Sequence, residues 1–273
     1  MKKLETGDKG SSVKSLGKIL SHKWLIGIDE VGRGPLAGPV TVGATAVKID
    51  GSTARTYKNL RKKLMEISGG ISADKVVSQM VSQMVSQMVS QKVGPKKEYP
   101  IGVDSKKMKE GDRDFWYEVI KEYAKENDSF HISVQSKSSK DIDKKEIAVC
   151  IGDLVDLNIK KILKKIEKFD PGVALRDLHI LLDGSLKTKL QVGNQKTIIK
   201  GDEKELVISL ASVYAKVTRD TYMKKISKKP KYSQYGFEVH KGYGTLNHRR
   251  AISKNGISSE HRKSFCKNVS KID

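Results

Sequence analysis

The sequence predicts an α/β domain: a mixed β-sheet flanked by helices, followed by a C-terminal helical region. Two observations carry this. Two runs rich in apolar and β-branched residues, LIGIDE (25–30) and PVTVGATAVKI (39–49), come first and read as strands. Beyond residue 128, strand-like and helix-like segments alternate, the pattern of a layered α/β sheet. SFHISVQ (129–135) alternates as a third strand, and HILLDG (179–184) is a short buried strand ending in Asp183-Gly184. TIIKGD (197–202) reads as another, ending in Gly201-Asp202. Apolar residues recur with helical spacing at about 112–126, 143–168, 203–227 and 246–255.

At 273 residues the chain can bury a substantial core, and 37% hydrophobic with 31% charged residues describes a globular protein. No stretch approaches the roughly 18 consecutive apolar residues of a membrane span. The opening MKKLETGDKG lacks the apolar stretch of a secretory signal, so a cytoplasmic location is expected. Cys150 and Cys266 then read as free thiols. A net charge of +21 attracts polyanions, nucleic acid among them, although the same charge also serves solubility.

Residues 1–22 read as a polar N-terminal arm, and about 65–97 as an insertion. Within it, 76–91 read VVSQMVSQMVSQMVSQ, where Val81, Met84, Val85 and Met88 form an apolar stripe at helical spacing. A surface excursion built on an expanded repeat explains this segment more simply than a partner-binding helix.

Four acidic positions share a pattern. Asp29 and Glu30 close the first strand, Asp183 closes the fourth, and Asp202 closes the fifth. Carboxylates at strand ends converge on the crevice where α/β sheets bind ligands. Gathered there, they repel one another unless a cation neutralises them, and oxygen-only donors favour Mg²⁺ or Mn²⁺. Each acid taken alone is equally well a turn residue or helix cap, so only their joint placement speaks for a metal site. After Asp29-Glu30, the glycines of GRGPLAGPV do not match a dinucleotide fingerprint. They suit either a tight turn or a backbone that approaches a sugar closely. A 2′-hydroxyl, donor and acceptor at once, is what distinguishes RNA from DNA.

These blocks carry a family resemblance. IGIDEVGRGPLAGPV (26–40) resembles the signature of ribonuclease HII, and further blocks follow in that family's order. They are DSKKM (104–108), LLDG (181–184), KGD with ASVYAKVTRD (200–220), and HKGYGTLNH with HRKSF (240–265). The resemblance implies a ribonuclease H-like fold with a catalytic domain at 23–225 and a substrate-binding helical region at 226–273. It implies an endoribonuclease that cuts the RNA strand of RNA/DNA hybrids, and cuts 5′ to single ribonucleotides in duplex DNA, leaving 3′-hydroxyl and 5′-phosphate ends. Asp29, Glu30, Asp183 and Asp202 match the metal-binding carboxylates. Gly32, Arg33 and Gly34 match the motif that grips the ribose 2′-hydroxyl, Lys106 and Lys107 lie where the family contacts phosphate, and Tyr243 matches the tyrosine that packs on the following deoxyribose. The implied partner is nucleic acid; no membrane contact is expected, and the chain is expected to act as a monomer.

Arg33 between the glycines favours type II over the sister type III enzyme. Glu146 stands where the family often has Asn, and residues 50–98 are longer than the usual linker. Asp220 reads as a structural partner of Arg219 or a neighbour, and Trp24, Phe115 and Trp116 as core. His240, His248, His261 and Cys266 fit no standard zinc spacing. A nucleic-acid binder without turnover is the competing class, and the four acids argue against it, since a binder has no reason to gather them where a phosphate must sit.

Overall fold

The computed structural model describes residues 23–49, 108–267 and 269. The N-terminal arm, the repeat insertion, and Lys106 and Lys107 lie outside the described residues. Strands β1 (Trp24–Val31), β2 (Val40–Lys48), β3 (Phe130–Lys137), β4 (Leu178–Asp183) and β5 (Asn194–Ile198) form one sheet in the order β3-β2-β1-β4-β5. β1 is antiparallel to β2, as β2 is to β3, whereas β1 and β4, and β4 and β5, run parallel. The mixed sheet and its flanking helices agree with the fold class read from sequence.

The helices are α1 (Glu110–Glu126), α2 (Ser139–Lys145), α3 (Ile147–Ile166), α4 (Gly201–Lys204), α5 (Leu206–Ser227), α6 (Phe237–His240) and α7 (Leu246–Asn255). Because strand side chains alternate between faces, β1 feeds two cores. Trp24, Ile26 and Ile28 pack against the apolar stripe of α3, including Ile151, Leu154, Ile159 and Ile162. Leu25 faces the other way, toward α1 and α5, with Trp116, Ile120, Leu210 and Val213. Each such buried aliphatic side chain contributes about 1.5–3 kcal/mol. Phe115 packs against this second core from its margin. A third cluster, with Met223, Ile226, Tyr235, Phe237 and Ile252, unites the end of α5 with the C-terminal region.

Two glycines set the spacing of α5 from the sheet. A Cβ on Gly27 would stand 2.3 Å from the Val207 carbonyl carbon, and one on Gly43 2.4 Å from the Ala211 oxygen. Helix backbone therefore rests directly on β1 and β2.

Two expected elements end differently. The helix expected over 143–168 is two helices joined at Glu146, whose φ of 69° and ψ of 150° interrupt the helical path. Ser138 caps α2 through a capping box with Asp141, which explains why α2 starts earlier than expected. The fifth strand stops at Ile198 rather than running to Asp202. Lys200 then takes a left-handed conformation, and Gly201 and Asp202 begin the short helix α4. The segment is an exposed sheet edge, where Ile199 is 75% accessible, so its apolar pair marks no buried strand. Among the described residues, no helix is long and apolar enough to cross a membrane.

Candidate active site

The parallel register of β1 and β4 assembles the acids. Ile28 pairs with Leu182, so the next residues, Asp29 and Asp183, meet at the carboxyl ends of neighbouring strands on the α5 face. Glu30 follows, and carboxylate oxygens of Asp29, Glu30 and Asp183 all lie within 4.8 Å of one another. The Gly201 amide donates to Asp183 Oδ1 at 2.6 Å, which ties the start of α4 to this cluster. Asp202 is buried in the first turn of α4. It stands outside the three-carboxylate group, yet its charge reaches Asp29.

Burial pushes the Asp29 carboxyl well above the ordinary carboxylate range, and Asp183, Glu30 and Asp202 add to that; a hydrogen bond with Ser212 on α5 opposes it. A cluster of like charges, one buried and two partly buried, with only oxygen donors is the chemistry that a hard divalent cation satisfies. The residues present therefore fit such an ion: Asp29, Glu30 and Asp183 as a converging set, with Asp202 adjoining.

The glycine loop leaves β1 beside this cluster. Arg33 Nε lies 3.5 Å from Glu30 Oε1, and the Arg33 side chain is half exposed. Gly32 and Gly38 have φ of 87° and 83°, where a side chain is strained. A Cβ on Gly32 would also stand 2.3 Å from Arg219 Nε, whereas the space around Gly34 is open. Two fully buried arginines from different parts of the chain reach the loop. Arg219, on α5, donates to the carbonyls of Pro39 (2.9 Å), Ala37 (3.2 Å) and Lys241 (2.9 Å). Arg262, from the C-terminal segment, donates to those of Gly32 (2.6 Å), Arg33 (2.9 Å) and Gly38 (3.0 Å).

Tyr243 borders the same loop. Its ring is partly exposed and lies 5.7 Å from the Arg219 guanidinium carbon. Its backbone is pinned: the amide donates to the His240 carbonyl at 2.9 Å, and its carbonyl accepts from His248 Nδ1 at 2.8 Å. The histidines thus serve as a scaffold. His261 Nδ1 accepts from the Ser258 amide at 2.9 Å, which leaves Nε2–H to donate to His248 Nε2 at 3.1 Å. His240 donates to the Tyr235 carbonyl and accepts from the Gly242 amide. The ring nitrogens of all three histidines are thus engaged in hydrogen bonds within the protein.

Asp29, Glu30 and Asp183 thus come together with Asp202 alongside, Arg33 of the Gly32–Gly34 loop reaches Glu30, and Tyr243 stands against Arg219, which ties that loop back. Asp220 pairs with Lys216 at 2.7 Å, while Arg219 Nη1 is 4.0 Å from it, so its partner is one turn back rather than next door. Sequence reasoning missed Ser212, and assigned Arg219 and Arg262 no part in the loop. Arg262 sits inside the HRKSF block, and nothing in that block distinguishes a buried fork from a surface charge.

Comparison with known proteins bears on this geometry. The family model "Ribonuclease HII" matches residues 96–268. Ribonuclease HII of Fusobacterium nucleatum subsp. nucleatum is 32% identical over 92% of this chain and 89% of its own length. That of Clostridium perfringens is 34% identical over 94% of this chain and 70% of its own. Among solved structures, ribonuclease H2 from Pyrococcus horikoshii OT3 superposes with a TM-score of 0.50 at 17% identity, covering 91% of this chain and 97% of that one. Bst-RNase HIII in complex with Mn²⁺ gives 0.50 at 14%, covering 98% and 77%. At such identities the structural likeness speaks to the fold alone. The sequence matches carry the assignment further: at about one residue in three over nearly the whole length, the chain belongs to the ribonuclease HII family.

Proposed function

We propose that this ribonuclease cuts the RNA strand of RNA/DNA hybrids, and nicks duplex DNA on the 5′ side of a single embedded ribonucleotide. The observation that carries this reading is the juxtaposition of a three-carboxylate cluster with a glycine loop whose carbonyls are tied back by buried arginines. In the proposed roles, Asp29, Glu30, Asp183 and Asp202 hold the divalent cation and orient the attacking water. When bound, Mg²⁺ or Mn²⁺ supplies Lewis acidity and neutralises charge building on the phosphate; the Mn²⁺ complex of Bst-RNase HIII supports this choice of ion. Gly32, Arg33 and Gly34 bring backbone groups to the 2′-hydroxyl and the adjoining phosphate. The Tyr243 ring packs on the deoxyribose that follows, and Lys106 and Lys107 contact the backbone. Water attacks phosphorus, the bond to the upstream 3′ oxygen breaks, and the products are a 3′-hydroxyl and a 5′-phosphate. Residues 23–225 form the catalytic domain and 226–273 the substrate-binding region, behind a polar arm at 1–22, in a monomer acting in the cytoplasm.

The test is incubation of the purified chain with Mg²⁺ or Mn²⁺ and two labelled substrates, a hybrid and a DNA duplex with one ribonucleotide. A single nick 5′ to the ribonucleotide, with a ligatable 5′-phosphate, is expected. An uncut ribonucleotide duplex beside a cleaved hybrid would remove the junction-cutting half of the proposal.

A further inference from the structure

Arg262 joins parts of the chain far apart in sequence: its hydrogen-bonded partners Gly38, Arg33 and Gly32 lie 224, 229 and 230 residues before it. Its three donated hydrogen bonds span the glycine loop, two at its start and one near its end. A trans peptide is planar, with C=O and the following N–H pointing in opposite directions. Drawing the Gly32 and Arg33 carbonyls inward to the guanidinium therefore turns the Arg33 and Gly34 amides outward. Both residues are exposed, and among the described residues no hydrogen bond donated by either amide is found. Two consecutive outward N–H groups suit an acceptor oxygen of a sugar or phosphate.

Arg262 is itself held in place by other elements. Asp143 on α2 accepts from the Lys263 amide (2.8 Å), the Ser264 amide (2.9 Å) and the Ser264 hydroxyl (2.6 Å). The Arg262 amide donates to the Leu36 carbonyl at 2.8 Å, and Ala37 bridges His261 as an isolated β-pair. The chain of support runs from α2 through the C-terminal segment to Arg262, and from there to the two amides.

We propose that Arg262 is a positioning residue that sets substrate affinity: it orients the Arg33 and Gly34 amides, and Asp143 holds the segment that presents it. The inference rests on the loop's proposed role in gripping the sugar and phosphate. Its prediction is a split between KM and kcat, because the metal carboxylates lie on other elements.

The experiment compares wild type, Arg262→Lys and Asp143→Ala in steady-state cleavage of a duplex with one ribonucleotide, with Mg²⁺ titrations and thermal melts alongside. Lys keeps the charge but cannot span three carbonyls, so KM should rise about tenfold, with kcat within about twofold. Asp143→Ala should raise KM in the same direction by a smaller factor, and the half-maximal Mg²⁺ concentration should stay unchanged for both. If Arg262→Lys does not fold, the Asp143→Ala result decides. Wild-type KM in the folded variant, or a loss confined to kcat or to Mg²⁺ dependence, would overturn the positioning role while leaving the proposed function intact. A wild-type chain that fails to cut either substrate would instead overturn the functional reading beneath it.

Discussion

Replacing Asp183 by Asn removes one charge from the carboxylate cluster while keeping its shape, because the amide oxygen can still accept from the Gly201 amide. Two unit charges at the cluster's 4.8 Å limit repel by about 3.5 kcal/mol at an effective dielectric of about 20. Glu30 and Asp183 are only partly buried, and a raised Asp29 pKa already relieves some of that repulsion. About 1–2 kcal/mol should remain to be released. For a chain of this size each kcal/mol moves Tm by about 2–4 °C, so Asp183→Asn should melt roughly 2–8 °C above wild type in EDTA. With Mg²⁺ the order should reverse or narrow, since an ion at a hundredfold its Kd stabilises the wild type by about 2.7 kcal/mol and the variant by much less. Cleavage should fall roughly a thousandfold, matching several kcal/mol of lost transition-state stabilisation. The assay is differential scanning fluorimetry with and without Mg²⁺, paired with single-turnover cleavage. A variant that melts below wild type in EDTA, yet gains as much from Mg²⁺, would refute the idea that these acids form a strained cation site.

Three further outcomes are expected. Glu146→Gly should raise stability by about 1 kcal/mol, because φ 69° and ψ 150° lie in a region nearly restricted to glycine; a lower melting temperature would contradict this. Asp202→Asn should lose cleavage without losing stability, whereas Asp220→Asn should lose about 2–3 kcal/mol by stranding Lys216, which is largely buried; the reverse pattern would exchange their roles. Burial holds His248 and His261 down at about 4, so the unfolded chain takes up protons first as pH falls from about 6.5. Stability present above that pH should be lost progressively down to about 4, more steeply in wild type than in His261→Gln, and parallel slopes would exclude the histidine pair as the cause.

The parts of the fold that were legible in sequence are those where local pattern and tertiary role coincide. β1 and β2 are continuous buried runs, and α7 occupies the 246–255 expected from its periodicity. The break at Glu146 was hidden because apolar spacing continues across it; Ile142 and Cys150 fall in the same core cluster. The fifth strand was drawn too long because Ile198-Ile199 looks like a buried pair, although it lies on the sheet's open edge. At the site, Asp29, Glu30 and Asp183 were readable as strand-end acids because the parallel register brings such ends together. Asp202 reaches the same neighbourhood by a different route, through a left-handed Lys200 and a short helix. Arg219 and Arg262 could not be recognised from local pattern: in a chain with 53 Lys and Arg residues, nothing nearby marks two of them as buried. Their partners are backbone carbonyls, which leave no trace in side-chain identity.

Helix α5, seated against Gly27 and Gly43, fixes a length that the lineage cannot easily vary. Ser212, beside Asp29, and Arg219, beside Gly32, are separated by two helical turns and so share one face of α5. Inserting or deleting one residue between them would rotate one end against the other by about 100°. The helix backbone rests on β1 and β2 at Gly27 and Gly43, where no Cβ intervenes, so there is little slack in which to absorb that rotation. The distance between the acid cluster and the glycine loop is thus written into a count of residues. Homologues should tolerate many substitutions along this stretch of α5 but no change in its length.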